Sequence, residues 1–355
     1  MALLNTWASQ QDQASLSPLD RALNTYIQQG NAPLSYLLRG DTQGLLKDIN
    51  TPRPVDITQD MLNTALNVNP VSGLLSKAIT QGPKYSSLLG KSDIEQSATN
   101  RLITQYPELK QQYSTLNFPH AETKGGRILN TDAARELFPE YAADRTLSAQ
   151  VHEPASQFVK NLYTEKLSKP TPQGLDNTVV FTAGGTGAGK TSAIKRASQE
   201  ASDAINNAEM IYDTNMNTFK SADDKIQQAL KAGRNVQVFY TYRDPVKALT
   251  EGALPRASRM EESFGSGRTV PLSEHLKTHV GSQQTIKELA EKYKNNDNVM
   301  IRAIDNSKGV EDIKYMDINK IPKLNEKELR RKLNEALEKS KSNISEAIYR
   351  GTKDY

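Results

Sequence analysis

A three-layer α/β core on a parallel sheet of about five strands, preceded by a mostly helical N-terminal region, is the fold this sequence predicts. Two observations carry the prediction. From Arg127 onward, short β-branched runs alternate with longer helical patterns, the texture of parallel strands joined by crossover helices. Within that region the stretch FTAGGTGAGKTS, residues 181–192, follows an apolar run and precedes the helix-forming SAIKRASQE, the setting of a glycine-rich phosphate loop.

In chain order, residues 1–123 are rich in Gln, Asn, Ser and Leu. SPLDRALNTYIQQG reads as a helix with Ser17 as N-cap, Pro18 in the first turn, apolar Leu19, Leu23, Tyr26 and Ile27, and Gly30 as its stop. DITQDMLNTALN and NPVSGLLSKAITQG read the same way. This first third has no catalytic pattern and reads as a helical leader or docking segment, with a protein partner as one use for it. Strands are expected at RILN, TVVFTA, AEMIYD, NVQVFYTY and NVMIRAID, with helices near 132–139, 154–168, 190–206, 221–232, 246–260 and 282–294. The core should span 124–320. The remainder, 321–355, is expected to hold one helix from Asn325 to Arg350, with a capping box at Asn325 and Glu328, a shared face of Leu329, Leu333, Leu337, Ile344 and Ile348, and Gly351 as its end. Packing on the body is its expected role.

Composition narrows the function classes. The chain is 36% hydrophobic and 24% charged, has a mean hydropathy of -0.64, and has no apolar run near the ~20 residues of a membrane span. Its start, MALLNTWASQQ, lacks the basic and apolar parts of a secretion signal, so a cytoplasmic setting is expected. Without cysteine there are no disulfides, thiolate nucleophiles or thiolate metal sites. Net charge is +4, and the nine basic and six acidic residues after Ile321 account for about +3 of it, which leaves a near-neutral body and disfavours nucleic acid as a partner. Trp7 and the scattered tyrosines form no stacking ladder for single strands.

The phosphate loop is the strongest signal. Gly184, Gly189, Lys190 and Thr191 satisfy G-x-x-x-x-G-K-[ST], and residues 184–192 (Gly184, Gly185, Thr186, Gly187, Ala188, Gly189, Lys190, Thr191, Ser192) are the expected nucleotide cradle. Gly184, Gly185, Gly187 and Gly189 can take positive φ and turn backbone N–H groups toward phosphate oxygens. Lys190 would bridge the β and γ phosphates of ATP or GTP, and the Thr191 hydroxyl would hold Mg²⁺. The spacing does not fit the dinucleotide motif G-x-G-x-x-G.

Transfer of the γ-phosphoryl needs an acid that orients the acceptor hydroxyl and mobile cations that neutralise the moving group. Asp213, ending AEMIYD, resembles a metal-supporting aspartate, but Thr214 follows where a hydrolytic ATPase usually places a glutamate. ALPRASRMEESFGSGRTVP brings Arg256, Arg259 and Arg268 together with Gly265 and Gly267, the composition of a hinged lid over a phosphate chain.

The order P-loop, Asp-bearing strand, GRNVQVFYTYRDP with Arg243 at the end of its strand, arginine-rich GRTVP segment and VMIRAIDNS resembles the zeta-toxin family of P-loop kinases, over about residues 125–308. In that family an apolar strand, Asp, two residues, Arg and a Pro-x-aromatic element lies between the P-loop helix and the next strand. Here that interval is too short, and RILNTDAARELFPEY supplies Asp132, Arg135, Pro139 and Tyr141 upstream, followed by VHEPASQFVKNLYTEKL. The resemblance therefore implies a circularly permuted kinase core with Asp132 as base, Asp213 near metal or substrate, and Arg135 and His152 lining the acceptor site. It also implies a nucleotide sugar such as UDP-N-acetylglucosamine as acceptor, and a toxin–antitoxin setting.

Alternatives remain at this stage. Thr131 or Asp132 could instead cap a helix starting at TDAARE, and His152 could pack at a helix start. Asp305 and Asn306 read as a plain turn or as nucleotide-base contacts. His275 and His279, four apart, lack the further ligand a metal would need. A polynucleotide kinase, a P-loop ATPase, and a nucleotide-binding protein of a phage or mobile element delivered into a host cytoplasm are the rival functions.

Overall fold

The computed structural model describes residues 92–118, 121–309 and 312–354. The helices expected around Ser17, at 56–67 and at 69–82 lie outside the described residues, as does Trp7. The chain divides into two compact units, 1–106 and 107–355. The described part of the first is one helix, Asp93–Thr104, capped by Ser92, whose side chain accepts from the Glu95 N–H at 3.1 Å.

The second unit is an α/β structure on a six-stranded mixed sheet. Its strands are β1 (Ile128–Asn130), β2 (Asp176–Ala183), β3 (Ala208–Asp213), β4 (Asn235–Tyr242), β5 (Val299–Asp305) and β6 (Lys314–Met316). Their order across the sheet is β1-β3-β2-β4-β5-β6. The first five run parallel, as the β-branched runs predict, and β6 pairs antiparallel with β5. That last edge was not expected from KYM, which is too short to show a period. From Val179 onward β2 is buried on both faces, as a central parallel strand must be, because helices cover it above and below.

The helices that matter for the site are α1 (Thr131–Arg135), α2 (His152–Leu167), α3 (Lys190–Ala197), α4 (Gln199–Asn207), α5 (Phe219–Lys231), α6 (Leu254–Phe264), α7 (Leu272–Tyr293), α8 (Glu326–Ser340) and α9 (Glu346–Thr352). On one face of the sheet Val180, Ile211, Phe239 and Ile304 pack with Ile194 of α3 and Ile205 of α4. On the other, Phe181 stacks on Tyr212 at 5.9 Å and the Tyr163 ring of α2 meets Tyr212 edge-on at 5.1 Å. The Tyr163 hydroxyl donates to the Lys225 carbonyl of α5 at 2.8 Å. These are the three layers.

Several boundaries differ from expectation, each for a local reason. The single helix expected over 190–206 is broken at Ser198, which is extended (φ -166°, ψ 163°) and caps α4 by accepting from the Ala201 N–H at 3.0 Å. Helix α7 begins ten residues before the expected 282 and takes in both His275 and His279. The tail is two helices: Ile344 is extended, and Gly351 lies inside α9, where a Cβ would come within 2.4 Å of Thr269 Oγ1. The capping bond at Asn325 forms as expected, with Oδ1 accepting from the Glu328 N–H at 3.0 Å. Leu329, Leu333, Leu337 and Ile348 bury against Leu254, Leu272 and Leu276, so the tail packs on α6 and α7.

Candidate active site

The site is assembled at the C-terminal ends of the parallel strands, where such sheets bind ligands. Register sets its first row: Asn130 of β1 and Thr182 of β2 both stand level with Asp213 of β3. Their side chains are joined, Asn130 Nδ2 donating to Asp213 Oδ2 at 2.9 Å and Thr182 Oγ1 to Asp213 Oδ1 at 2.6 Å. Lys190, the first residue of α3, brings its ammonium 3.9 Å from Asp213 Oδ1 and donates to Asn215 Oδ1 at 2.8 Å. The loop carrying Asn215 contains Met216 at φ +50°, a left-handed conformation costly for a non-glycine residue, and its Asn215 carbonyl accepts from the Gly184 N–H at 3.1 Å.

The phosphate loop lies between β2 and α3. Gly184, Gly187 and Gly189 take positive φ (133°, 75° and 73°). Gly185 does not: glycine is needed there because a Cβ would lie 2.3 Å from the His279 ring. A Cβ on Gly187 would meet the Ala248 carbonyl at 2.2 Å, so the loop sits against the π-helical turn Ala248–Ala253.

Neighbours clamp the loop at the Thr186, Gly187 and Ala188 peptides. Thr186 N–H donates to Thr278 Oγ1 at 3.1 Å, while His279 Nε2 meets the Thr186 carbonyl at 2.9 Å. Asn306 Nδ2 donates to the Ala188 carbonyl at 2.8 Å, and Arg243 Nη1 to the Gly187 carbonyl at 3.3 Å. Because the partner of His279 Nε2 is a carbonyl, that nitrogen carries the proton. Burial drives both histidines toward neutrality, His275 to about 4 and His279, with His275 beside it, to about 3. His279 supports the loop directly, while His275 meets the Pro245 carbonyl at 2.9 Å and the His279 ring at 4.6 Å; among the described residues no group of three or more His, Cys, Asp or Glu could hold a metal.

Asp132 sits in the first turn of α1. The N-cap of that helix is Asn130, whose Oδ1 accepts from the Asp132 N–H at 2.6 Å, so neither Thr131 nor Asp132 serves as the cap. Released from that duty, the Asp132 carboxylate takes Arg135 on Oδ1 and Arg268 on Oδ2. Burial alone would raise its pKa, but Arg268, Arg135 and Arg256 together hold it far below the usual carboxylate range. Arg135 is 5% exposed; it also donates to the Ser148 carbonyl at 3.2 Å and to His152 Nδ1 at 2.6 Å. Burial, then Arg268, brings Arg135 down to about 10, and desolvation with the Arg135 charge brings His152 down to about 4.

The segment carrying Arg268 is held shut over α1. Gly265 ends α6 at φ +77°, and Gly267 lets the chain approach so closely that a Cβ would stand 2.4 Å from the Ala257 carbonyl. Arg145 pins this segment: its N–H donates to Ser266 Oγ at 2.8 Å, its guanidinium lies 3.8 Å from the Phe264 ring centroid, and it is paired with buried Glu136 at 2.8 Å.

A cavity of about 400 Å³ joins these parts, lined by Asp132, Arg135, His152, Thr186, Gly187, Lys190, Asp213, Arg256 and Arg268 among others. Arg256 is desolvated there, with its Nε buried and unbonded. Arg259 is exposed and does not line the cavity, unlike its two expected companions. Thr191 and Ser192 are exposed in the first turn of α3. A larger groove of about 610 Å³ between α7 and β5–β6 has no phosphate loop; Arg302, at its wall, is paired with Glu200 at 2.7 Å.

Asn130, Asn215, Thr278 and His279 contribute to the site without having been singled out for it. Asn306 had read as a turn or a nucleotide-base contact, and His279 as a histidine without the further ligand a metal would need. Nothing local in the sequence marks them, because their partners lie between 25 and 118 residues away.

Residues 195–314, about a third of the chain, match the family model described as Zeta toxin. The matched span starts within α3, so the phosphate loop and the Asp132 segment lie outside it. No curated protein matches the chain. Between α4 and β3 there is no strand; β1, which precedes the P-loop strand in the chain, takes the edge place beside β3. The family match together with this P-loop-bearing, mostly parallel sheet supports a zeta-toxin-family P-loop kinase.

Proposed function

We propose that the protein transfers the γ-phosphoryl group of ATP or GTP to a hydroxyl of a small acceptor, with Asp132 as the general base. The observation that carries this reading is the convergence of Lys190, Asp213, Asp132, Arg256 and Arg268 on one cavity, although Asp132 and Arg268 are 136 residues apart. Nucleotide-dependent phosphotransfer is the activity the family match supports at a general level.

In this reading the amides of Gly187, Gly189, Lys190 and Thr191 and the Lys190 ammonium hold the β and γ phosphates at the α3 N-terminus. The γ-phosphate draws Arg268 from Asp132, which frees Oδ2 to accept the proton of the acceptor hydroxyl as its oxygen attacks phosphorus and the bond to the β-phosphate oxygen breaks. Arg256, with an unbonded Nε, supplies positive charge to the moving group. Arg135 fixes the Asp132 carboxylate from the other side and, with His152, borders the acceptor. Arg259 is assigned no part in this reading.

A magnesium ion fits the residues present: an exposed Thr191 hydroxyl and the Asp213 carboxylate are hard oxygen donors, too few to cage an ion without nucleotide phosphates, which is how magnesium is usually bound. When bound it neutralises phosphate charge. A nucleotide sugar such as UDP-N-acetylglucosamine is the acceptor that kinship implies. The test is transfer of label from γ-labelled ATP across nucleotide sugars, free sugars and RNA ends; steady hydrolysis with no labelled acceptor would reject the reading.

A further inference from the structure

The cavity holds two ammonium groups that the reading above leaves unused. His152, Ser156 and Lys160 follow one another at four-residue intervals on α2, share one helix face and all line the cavity. Across from them Ser221 and Lys225, four apart on α5, line it as well. Lys225 Nζ donates to the Ser221 carbonyl at 3.0 Å and to Ser221 Oγ at 2.7 Å, and lies 5.7 Å from the Tyr212 ring centroid.

Neither ammonium has a carboxylate partner among the described residues. Of the nearby acids, Asp224, whose charge also favours the Lys225 ammonium, pairs with Lys220 at 3.1 Å, Glu274 with Lys277 at 3.2 Å, and Glu153 lies 4.0 Å from His152. Burial, and then the charge of Lys160, bring Lys225 down to about 8. Two like charges facing one partly desolvated space oppose each other until an anion enters, and an anion then gains from both.

We propose that Lys160 and Lys225, with the Ser156 and Ser221 hydroxyls, form a subsite for a phosphate or pyrophosphate group carried by the acceptor, distinct from the phosphate loop. The inference rests on the kinase reading for the word acceptor. It makes the protein selective for molecules already phosphorylated away from the reacting hydroxyl. Two lysines and two hydroxyls offer more donors and charge than a single carboxylate can use, whereas a multiply charged phosphate group uses both.

The test uses the full chain with carbon-13-labelled lysine and inorganic pyrophosphate as probe. In the Lys190→Ala chain, where the phosphate loop is disabled, pyrophosphate should still shift the Lys225 resonance and raise its titration midpoint above about 8. Lys160→Gln or Lys225→Gln should each weaken that binding about ten-fold, the scale of one charge-assisted hydrogen bond. In transfer assays both substitutions should raise KM for a phosphorylated acceptor by a similar factor and leave KM for ATP and for a neutral acceptor unchanged. An unmoved Lys225, loss of the pyrophosphate-induced Lys225 shift when saturating ATP is added to the unsubstituted chain, or equal KM increases for neutral and phosphorylated acceptors would each overturn the subsite. If pyrophosphate shifts Lys225 but no acceptor is ever labelled, the subsite stands and the kinase reading falls.

Discussion

Arg268 closes one oxygen of the Asp132 carboxylate while Arg135 closes the other, so this acid of the cavity lining has a guanidinium group on each oxygen. A carboxylate held this way is anionic at any physiological pH, and a base at Asp132 is therefore limited by access rather than by its own titration. Asp132→Asn should leave nucleotide affinity within about two-fold, measured by calorimetry, and slow transfer by at least ~10²-fold, the range for loss of a general base. Normal transfer by that variant would remove Asp132 from the chemistry.

Lys190→Ala should abolish nucleotide-dependent activity. Its ammonium lies 3.9 Å from Asp213, and no other lysine of the cavity is positioned by α3. Far-ultraviolet circular dichroism on the same sample should be unchanged, because the side chain is a partly exposed one that supports no core contact.

Gly185→Ala tests the contact between the phosphate loop and α7. A Cβ there meets the His279 ring at 2.3 Å, so the ring or the loop must move, and nucleotide affinity should fall about ten-fold or more. In a double-mutant cycle His279→Ala should restore part of that loss, since it removes the obstructing ring; strict additivity of the two changes would show that they do not interact.

His275 and His279 are neutral when folded, held near 4 and 3, against an ordinary value near 6.5. Below about 6.5 the unfolded chain therefore binds protons that the folded chain refuses. Their contribution to stability is complete above pH 6.5 and is lost as pH falls toward those folded values, at up to about 1.4 kcal/mol per pH unit for each histidine. Urea unfolding at pH 7.5 and pH 5 should show a lower midpoint at pH 5, and His279→Asn should flatten that dependence. A steeper dependence in the variant would contradict the assignment.

Glu136 and Arg145, with side chains 2% and 4% exposed, form a buried ion pair beneath the Arg268 segment. Glu136→Gln leaves the Arg145 charge buried beside Phe264 and should destabilise the fold by about 3 kcal/mol, read as a fall in the urea midpoint.

Much of this was legible in the sequence because it was local. Five β-branched runs became five parallel strands, and the G-x-x-x-x-G-K-T spacing by itself marked the loop and Lys190. Asp132 and Arg135 were marked by a short ordered motif. What stayed hidden was nonlocal or too short: the three-residue β6, the π turn that receives Gly187, and the polar clamps from Thr278, His279 and Asn306, whose partners are defined only by packing. The Asp132 cap alternative failed for a one-residue reason, since Asn130 already occupied the capping position. Arg259 shared a segment with Arg256 and Arg268 but is exposed and lies outside the cavity lining, a difference that their shared composition does not show.

The place of β3 between β1 and β2 also dictates an order of assembly. During synthesis the Asp132 strand emerges first and the phosphate loop second, yet neither touches the other: both wait for residues 208–213, which Asn130 meets across 83 positions of chain. At about 5–20 residues per second that delay is on the order of ten seconds. A nascent chain halted before Asp213 thus carries the Asp132 segment and the phosphate loop with no strand between them to join the two, and Arg256 and Arg268 are still to be made.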